Sequence, residues 1–278
     1  MLGQGGDGAV YSVWDLVRKH DLALKLMRDT GEPDLRERFE REYGILASSL
    51  SARLVRVFDF GQVALRMPDG SMAGHFWYTM EICESNLRRE LPNFDLARRV
   101  EVGLQMLDGL AFLHAQNIAH RDIKPENTFL VKQTQVKIGD FGLARVSSKA
   151  MAAGPGGMGM VMGSPPYLAP ERWTGRQDDD WRPSDQYAAG MMIFELLSKG
   201  KTALPVGNDL KTCFQAHQSA RAYALVIPEI RRRSFPSVDA VIGRMLAKRP
   251  EERYSDIAEC KRELTAALIQ DDVSSEAI

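Results

Sequence analysis

Between residues 120 and 142 the chain reads His120-Arg121-Asp122-Ile123-Lys124-Pro125-Glu126-Asn127 and, after a short apolar stretch, Asp140-Phe141-Gly142. The segment offers a carboxylate that can take a proton, an ammonium that can face a phosphate, and two side chains, Asn127 and Asp140, whose oxygens suit a hard cation. Such a set fits phosphoryl transfer, in which the protein does little covalent chemistry and mainly positions and neutralises charge in line between two oxygens. In that chemistry Asp122 accepts the proton of the incoming hydroxyl and Lys124 sits on the transferring phosphate. Asn127 and Asp140 then serve as ligands of a Mg²⁺ that bridges nucleotide phosphates. An Asp-Phe-Gly triplet alone recurs in unrelated chains, and it is the eight-residue run beside it that gives it weight.

Together these motifs resemble the catalytic segment of protein kinases of the eukaryotic-like (Hanks-type) serine/threonine type, and the resemblance extends over about residues 1–268. Lys124 at its place in the run is similar to the serine/threonine branch rather than the tyrosine branch. The resemblance implies an α+β, bilobal protein-kinase-like fold. A small β-rich N-lobe is expected over residues 1–80, a hinge over 81–84 and a larger, mainly helical C-lobe over 85–268, with 269–278 as a frayed tail. It also implies an ATP-dependent transferase that uses Mg²⁺ and acts on Ser or Thr hydroxyls of a protein substrate.

The elements that must position these groups follow in order. Leu2-Gly3-Gln4-Gly5-Gly6-Asp7-Gly8-Ala9-Val10-Tyr11 fits G-x-G-x-x-G-x-V. Its glycines Gly3, Gly5 and Gly8 let backbone N–H groups approach phosphate oxygens. Asp7 stands at the loop tip, where many relatives carry an aromatic residue, and is expected to point to solvent or toward the protein substrate. Asp21-Leu22-Ala23-Leu24-Lys25-Leu26-Met27 is an apolar run with one central lysine, a strand with a buried charge that needs a partner. The resemblance makes Lys25 the lysine that holds the α- and β-phosphates. In the following helix Leu35, Phe39, Glu42 and Leu46 share one face by their three- and four-residue spacings. Glu42 lies in that stripe and is the first choice of partner for Lys25, with Glu40 the second. Phe76-Trp77-Tyr78-Thr79-Met80 then runs into Glu81-Ile82-Cys83-Glu84, which the resemblance makes the hinge. There the backbone around Glu81 and Cys83 meets adenine and Met80 guards the pocket behind it, with Val10 and Ala23 above and Phe129 beneath. A plain core role is as open for these apolar residues as ligand contact.

Downstream, Gly163-Ser164-Pro165-Pro166-Tyr167-Leu168-Ala169-Pro170-Glu171 closes the activation segment. Ser164 stands where relatives carry Thr, a hydroxyl that ties the segment to Asp122 and Lys124. Glu171 is expected to pair with Arg253, although both could be surface charges. The stretch from Pro183 to Leu197 opens with Ser184 and Asp185 and continues apolar nearly all round, as befits a helix inside a large lobe. Asp185 resembles the family residue that bonds the catalytic-loop backbone, a role compatible with capping its own helix.

A chain of 278 residues with 44% hydrophobic content can build a substantial core, and the motif order fills it with one bilobal domain. A net charge of −1 gives no case for nucleic-acid binding. Arg231-Arg232-Arg233 and Asp178-Asp179-Asp180 read first as solvated runs, with a docking site for the former and attraction of basic substrate segments for the latter as the alternatives. No window approaches a membrane span, the N-terminus lacks a signal-peptide pattern, and the expected location is the cytoplasm. Cys83, Cys213 and Cys260 are odd in number and lack metal-site spacing, which fits reduced thiols.

Two departures from the family pattern stand out. Only Met1 and Leu2 precede Gly3, where relatives usually have several residues of strand. The expectation is either an earlier native start or a weakened roof over the nucleotide. From Lys149 to Gly163 there is no Ser, Thr or Tyr and no acid, so the usual place for a phosphate facing Arg121 is empty. Ser147 and Ser148 lie near the start of the segment, and an acid from a regulatory protein partner is the other candidate. Two further functional readings are a pseudokinase acting as a regulated binding module and a small-molecule phosphotransferase with a kinase-like fold. The presence of Lys25, Asp122 and Asp140 argues against the first, and Glu171 with Arg253 against the second.

Overall fold

The computed structural model describes residues 1–4, 8–27, 33–66, 70, 72–132, 134–141, 145–146, 163–173, 180–207, 209–230 and 234–273. Gly5, Gly6, Asp7, Gly142, Ser147, Ser148, Asp178, Asp179 and Arg231-Arg232-Arg233 lie outside the described residues.

Short apolar runs separated by turns pair into an antiparallel sheet. Its strands are β1 (Gly3–Gln4), β2 (Gly8–Asp15), β3 (His20–Met27), β4 (Val57–Arg66) and β5 (Met72–Met80), in the order β1-β2-β3-β5-β4. The register sets Val10 opposite Lys25, Lys25 opposite Tyr78, and Ala23 opposite Met80. Side chains alternate between sheet faces with period two, so this register gathers those residues on one face. Gly8 is required by packing: a Cβ there would stand 2.2 Å from the Leu26 carbonyl oxygen. Helix α1 (Pro33–Ser48) lays Leu35 and Phe39 against the sheet, turns Glu42 to Lys25 of β3 and sends Leu46 into the larger core, all four buried on one face as their spacing demands. Met27, Leu35, Phe39 and Tyr78 form the small core between sheet and helix.

Beyond Met80, residues 81–84 carry the chain without regular structure to β6 (Ser85–Asn86). Strand β6 pairs with β8 (Thr128–Val131), which pairs with β9 (Gln135–Ile138). A parallel bridge between Leu54 and Ile138 and a backbone bond from Glu84 N–H to the Leu130 carbonyl, 3.0 Å, tie the sheet lobe to this second lobe. Helix α2 (Leu87–Glu90) is capped by Asn86 and α3 (Leu96–Ala115) by Asp95, each side chain accepting from a backbone N–H in the first turn. Strand β7 (Ile118–Ala119) pairs with β10 (Arg145–Val146) and so brackets the segment that carries the catalytic motifs.

The remaining helices are α4 (Pro170–Trp173), α5 (Arg182–Leu197), α6 (Leu210–Ser219), α7 (Pro236–Met245) and α8 (Ile257–Gln270). Every residue of α5 from Ser184 to Leu197 is buried, as an all-round apolar helix requires. Glu171 and Arg253 form a bidentate pair, both N–O distances 2.8 Å, and Arg253 also donates to the Pro183 carbonyl. Burial alone would raise the Glu171 pKa, but Arg253 holds it below the ordinary carboxylate value. Removing one partner of such a buried pair costs on the order of 3–5 kcal/mol.

The frayed-tail expectation fails at its start. Helix α8 continues through Gln270, and Asp271 accepts from the N–H groups of Ser237 and Val238 at 2.9 Å each. Those are donors in the first turn of α7 with no partner inside the helix, whose own preceding residue, Phe235, has no side chain that can cap. Val273 is fully buried, so the lobe extends at least to residue 273. No helix among the described residues is long and apolar enough to cross a membrane.

His217 on α6 is buried, its Nδ1 2.8 Å from the Tyr187 hydroxyl on α5. Burial, aided by the charge of Lys248, pulls its pKa from 6.5 down to about 4. The unfolded chain therefore binds this proton first as pH falls. The stability it contributes is intact above pH 6.5 and lost as pH drops to about 4, a total of about 3 kcal/mol. His217→Gln should show a shallower fall in denaturation midpoint between pH 7 and pH 4.5 than the parent. Equal acid losses in the two proteins would exclude this histidine as the cause.

Candidate active site

A cleft of about 430 Å³ lies between the sheet and the chain segment that joins the lobes. Gly3, Gly8, Val10 and Ala23 line its roof, Lys25, Glu42 and Asp140 its back, Met80, Glu81 and Cys83 its edge, and Phe129 also faces it. Every described residue expected at the nucleotide lines this one space, and Gly5 lies outside the described residues.

At the back of the cleft Lys25 Nζ donates to both Glu42 oxygens, at 2.8 and 2.7 Å, with lysine and glutamate buried. Burial by itself pulls the Lys25 pKa down, but the Glu42 carboxylate overrides it, with Tyr78 and Asp140 adding, and holds the ammonium charged. Asp140 Oδ1 stands 3.6 Å from the same Nζ. Glu42 Oε1 also accepts from the Phe141 N–H at 3.3 Å, which couples α1 to the Asp-Phe-Gly segment. Glu40 instead points outward and pairs with Arg36 on the surface of α1.

Asp122, Lys124 and Asn127 lie on the loop between β7 and β8. Asp122 Oδ2 accepts from Lys124 Nζ at 2.6 Å and from Asn127 Nδ2 at 3.0 Å, and its Oδ1 accepts from Ser164 Oγ at 2.9 Å. Lys124 Nζ also donates to Ser164 Oγ at 3.0 Å, so the hydroxyl ties the end of the activation segment to both residues. With the amide nitrogen of Asn127 committed to Asp122, its oxygen is the end left for a cation. Asn127 and Asp140 thus make a hard-oxygen donor set that fits Mg²⁺.

Asp185 supports this loop from α5. Its Oδ2 accepts from the His120 N–H at 2.7 Å and lies 3.0 Å from His114 Nε2, while Oδ1 accepts from the Arg121 N–H at 2.8 Å. That carboxylate is spent on the loop and does not cap its own helix, which begins after Trp181 without a side-chain cap. Arg121 and Asp140 both adopt left-handed backbone, φ 72° and 63°. Such conformations in non-glycine residues cost on the order of 1–3 kcal/mol and persist where surrounding bonds over-determine them.

Along the joining segment, Glu81 Oε1 accepts from the Arg56 N–H and from Lys137 Nζ, each at 2.7 Å. Burial, joined by the Glu81 charge, pushes the Cys83 thiol up to about 12 and keeps it protonated.

Sequence reasoning missed Tyr78 and Val55 in the cleft and the role of Lys137 behind it. Burial and then the Glu42 charge push the Tyr78 phenol well up, and Lys25 Nζ lies 5.8 Å from its ring centre. Period-two alternation from Met80 was the available signal for Tyr78. For Val55 and Lys137 the contacts are non-local and left no such mark.

The family model described as "Protein kinase domain" matches residues 1–265. A probable serine/threonine-protein kinase of Streptomyces coelicolor is 32% identical over 96% of this chain and 39% of its own length. The serine/threonine-protein kinase PknB of Mycolicibacterium smegmatis is 30% identical over 95% of this chain and 41% of its own. A serine/threonine-protein kinase of Myxococcus xanthus is 32% identical over 97% of this chain and 38% of its own. The chain thus spans about two fifths of the length of these relatives. Matched along nearly all of its residues, it belongs to the protein kinase family, in the Hanks-type serine/threonine branch.

Proposed function

We propose that this chain transfers the γ-phosphoryl group of ATP, with Mg²⁺, to Ser or Thr hydroxyls of protein substrates. The observation that carries the reading is the meeting of the Lys25–Glu42 pair with Asp140 in one cleft, next to a loop where Asp122, Lys124 and Asn127 are bonded to one another. In this reading Gly3, Gly5, Gly8, Val10, Ala23, Met80, Glu81, Cys83 and Phe129 cradle the nucleotide, and Lys25 holds its α- and β-phosphates. Asn127 and Asp140 hold the cation, which when bound neutralises charge on the phosphate oxygens. Asp122 takes the proton of the substrate hydroxyl as the oxygen–phosphorus bond forms and the bond to ADP breaks, and Lys124 steadies the transferring group. The proposed setting is the cytoplasm, which suits the three unpaired thiols Cys83, Cys213 and Cys260.

Incubation of the purified protein with γ-labelled ATP, Mg²⁺ and a casein or histone acceptor tests this. Label on Ser or Thr, abolished by EDTA, is the expected result. ATP binding without transfer would favour the regulated binding module, and transfer confined to small hydroxyl compounds the small-molecule phosphotransferase.

A further inference from the structure

Arg121 immediately precedes Asp122, and its left-handed backbone, φ 72°, must be held by its surroundings. Asp185 holds the N–H side. The guanidinium lies over the indole of Trp181, 4.7 Å from the ring centre, and a second guanidinium, that of Arg172, lies over the same ring at 4.2 Å. Arg172 is anchored in turn, its Nε donating to Ser184 Oγ at 2.6 Å, and Ser184 donates to Glu171, the partner of Arg253. Trp181 also lines, with Arg121, Asp122, Ser164 and Asp185, a cavity of about 20 Å³, space for about one water molecule.

We propose that Trp181 is a positioning residue for phosphoryl transfer. Its ring, gripped by Arg121 and Arg172, fixes the backbone that presents Asp122. The indole face carries negative quadrupole density and so attracts both cations, a role that an aliphatic side chain of similar bulk cannot supply. The stack runs from the catalytic loop through Trp181 and Arg172 to the buried Glu171–Arg253 pair, so the loop is braced against the helical core of its own lobe. Phosphorylation is one way of bracing a loop through an arginine; here residues 149–163 hold no Ser, Thr or Tyr, and an aromatic ring does so in a segment outside that stretch.

The inference rests on the kinase reading, and the test separates the two. Trp181→Leu, Trp181→Phe and the parent are compared by kcat, by KM for ATP, by melting temperature, and by backbone hydrogen exchange at His120 and Arg121. Trp181→Leu should lower kcat about tenfold at a KM within about twofold of the parent, and Trp181→Phe should recover most of the loss. Exchange at His120 and Arg121 should quicken in the leucine variant and return toward the parent in the phenylalanine variant. Leucine and phenylalanine variants that behave alike, unchanged exchange, or a kcat loss that only tracks a lowered melting temperature would overturn the proposal. Absence of transfer by the parent protein would overturn the kinase reading instead, and the exchange comparison would still decide whether the ring braces the loop.

Discussion

Asp122→Asn is expected to cut phosphoryl transfer about a thousandfold while leaving nucleotide affinity within about twofold of the parent. The amide is isosteric: its oxygen keeps the bonds from Lys124 and Asn127, and its NH₂ meets Ser164 Oγ, a hydroxyl that can turn to accept, so the loop retains its shape. What it loses is the ability to take the hydroxyl proton, a need that arises only during transfer. Asp122 is also absent from the lining of the nucleotide cleft, the geometric reason to expect binding to survive. Single-turnover transfer and equilibrium titration with ATP measure the two quantities separately. A variant with more than about a tenth of the parent rate would remove Asp122 as the base, and a parallel loss of affinity would move its role to binding.

Lys25→Met should lower transfer on the order of a hundredfold to a thousandfold, the usual cost of removing one preorganised cationic or hydrogen-bond donor. It also strands Glu42, which is 1% exposed and would be left with the neutral donors of the Phe141 N–H and the Tyr78 hydroxyl. Glu42→Gln leaves the opposite imbalance, an ammonium with a neutral partner and Asp140 at 3.6 Å, and draws Lys25 off the phosphates toward that carboxylate. A loss of about tenfold or more is expected there, against less than about twofold for Glu40→Gln, since an exposed pair such as Arg36–Glu40 contributes little. Steady-state rates with melting temperatures recorded alongside are the measurement. Equal losses for the two glutamines would mean that Glu42 does not act through Lys25.

The candidate catalytic run was legible because its residues are near neighbours in sequence, and the loop between β7 and β8 keeps Asp122, Lys124 and Asn127 within reach of one another in space. Glu42 was legible because helical periodicity fixes the face on which it stands before any packing is known. The second choice, Glu40, differed by two residues, about half a turn, and the structure puts it in solvent. Asp185 could be read only by resemblance, since its bonds to the catalytic loop cross 64 and 65 residues of chain.

The bilobal fold and the order of its lobes were therefore carried in the sequence by the resemblance of its motifs, while spacing and periodicity over a few residues marked the candidate chemistry and the face on which Glu42 stands. Tertiary structure decided the rest. It spent Asp185 on the loop instead of on its own helix, sent Asp271 from the end of α8 to the unsatisfied donors of α7, and set Tyr78 beside Lys25 through strand register. It also brought the guanidinium groups of Arg121 and Arg172 over the one ring of Trp181. These pairings join elements far apart in the chain, and their partners are selected by which buried polar or charged groups would otherwise go unsatisfied, a condition that exists only once the lobes have packed.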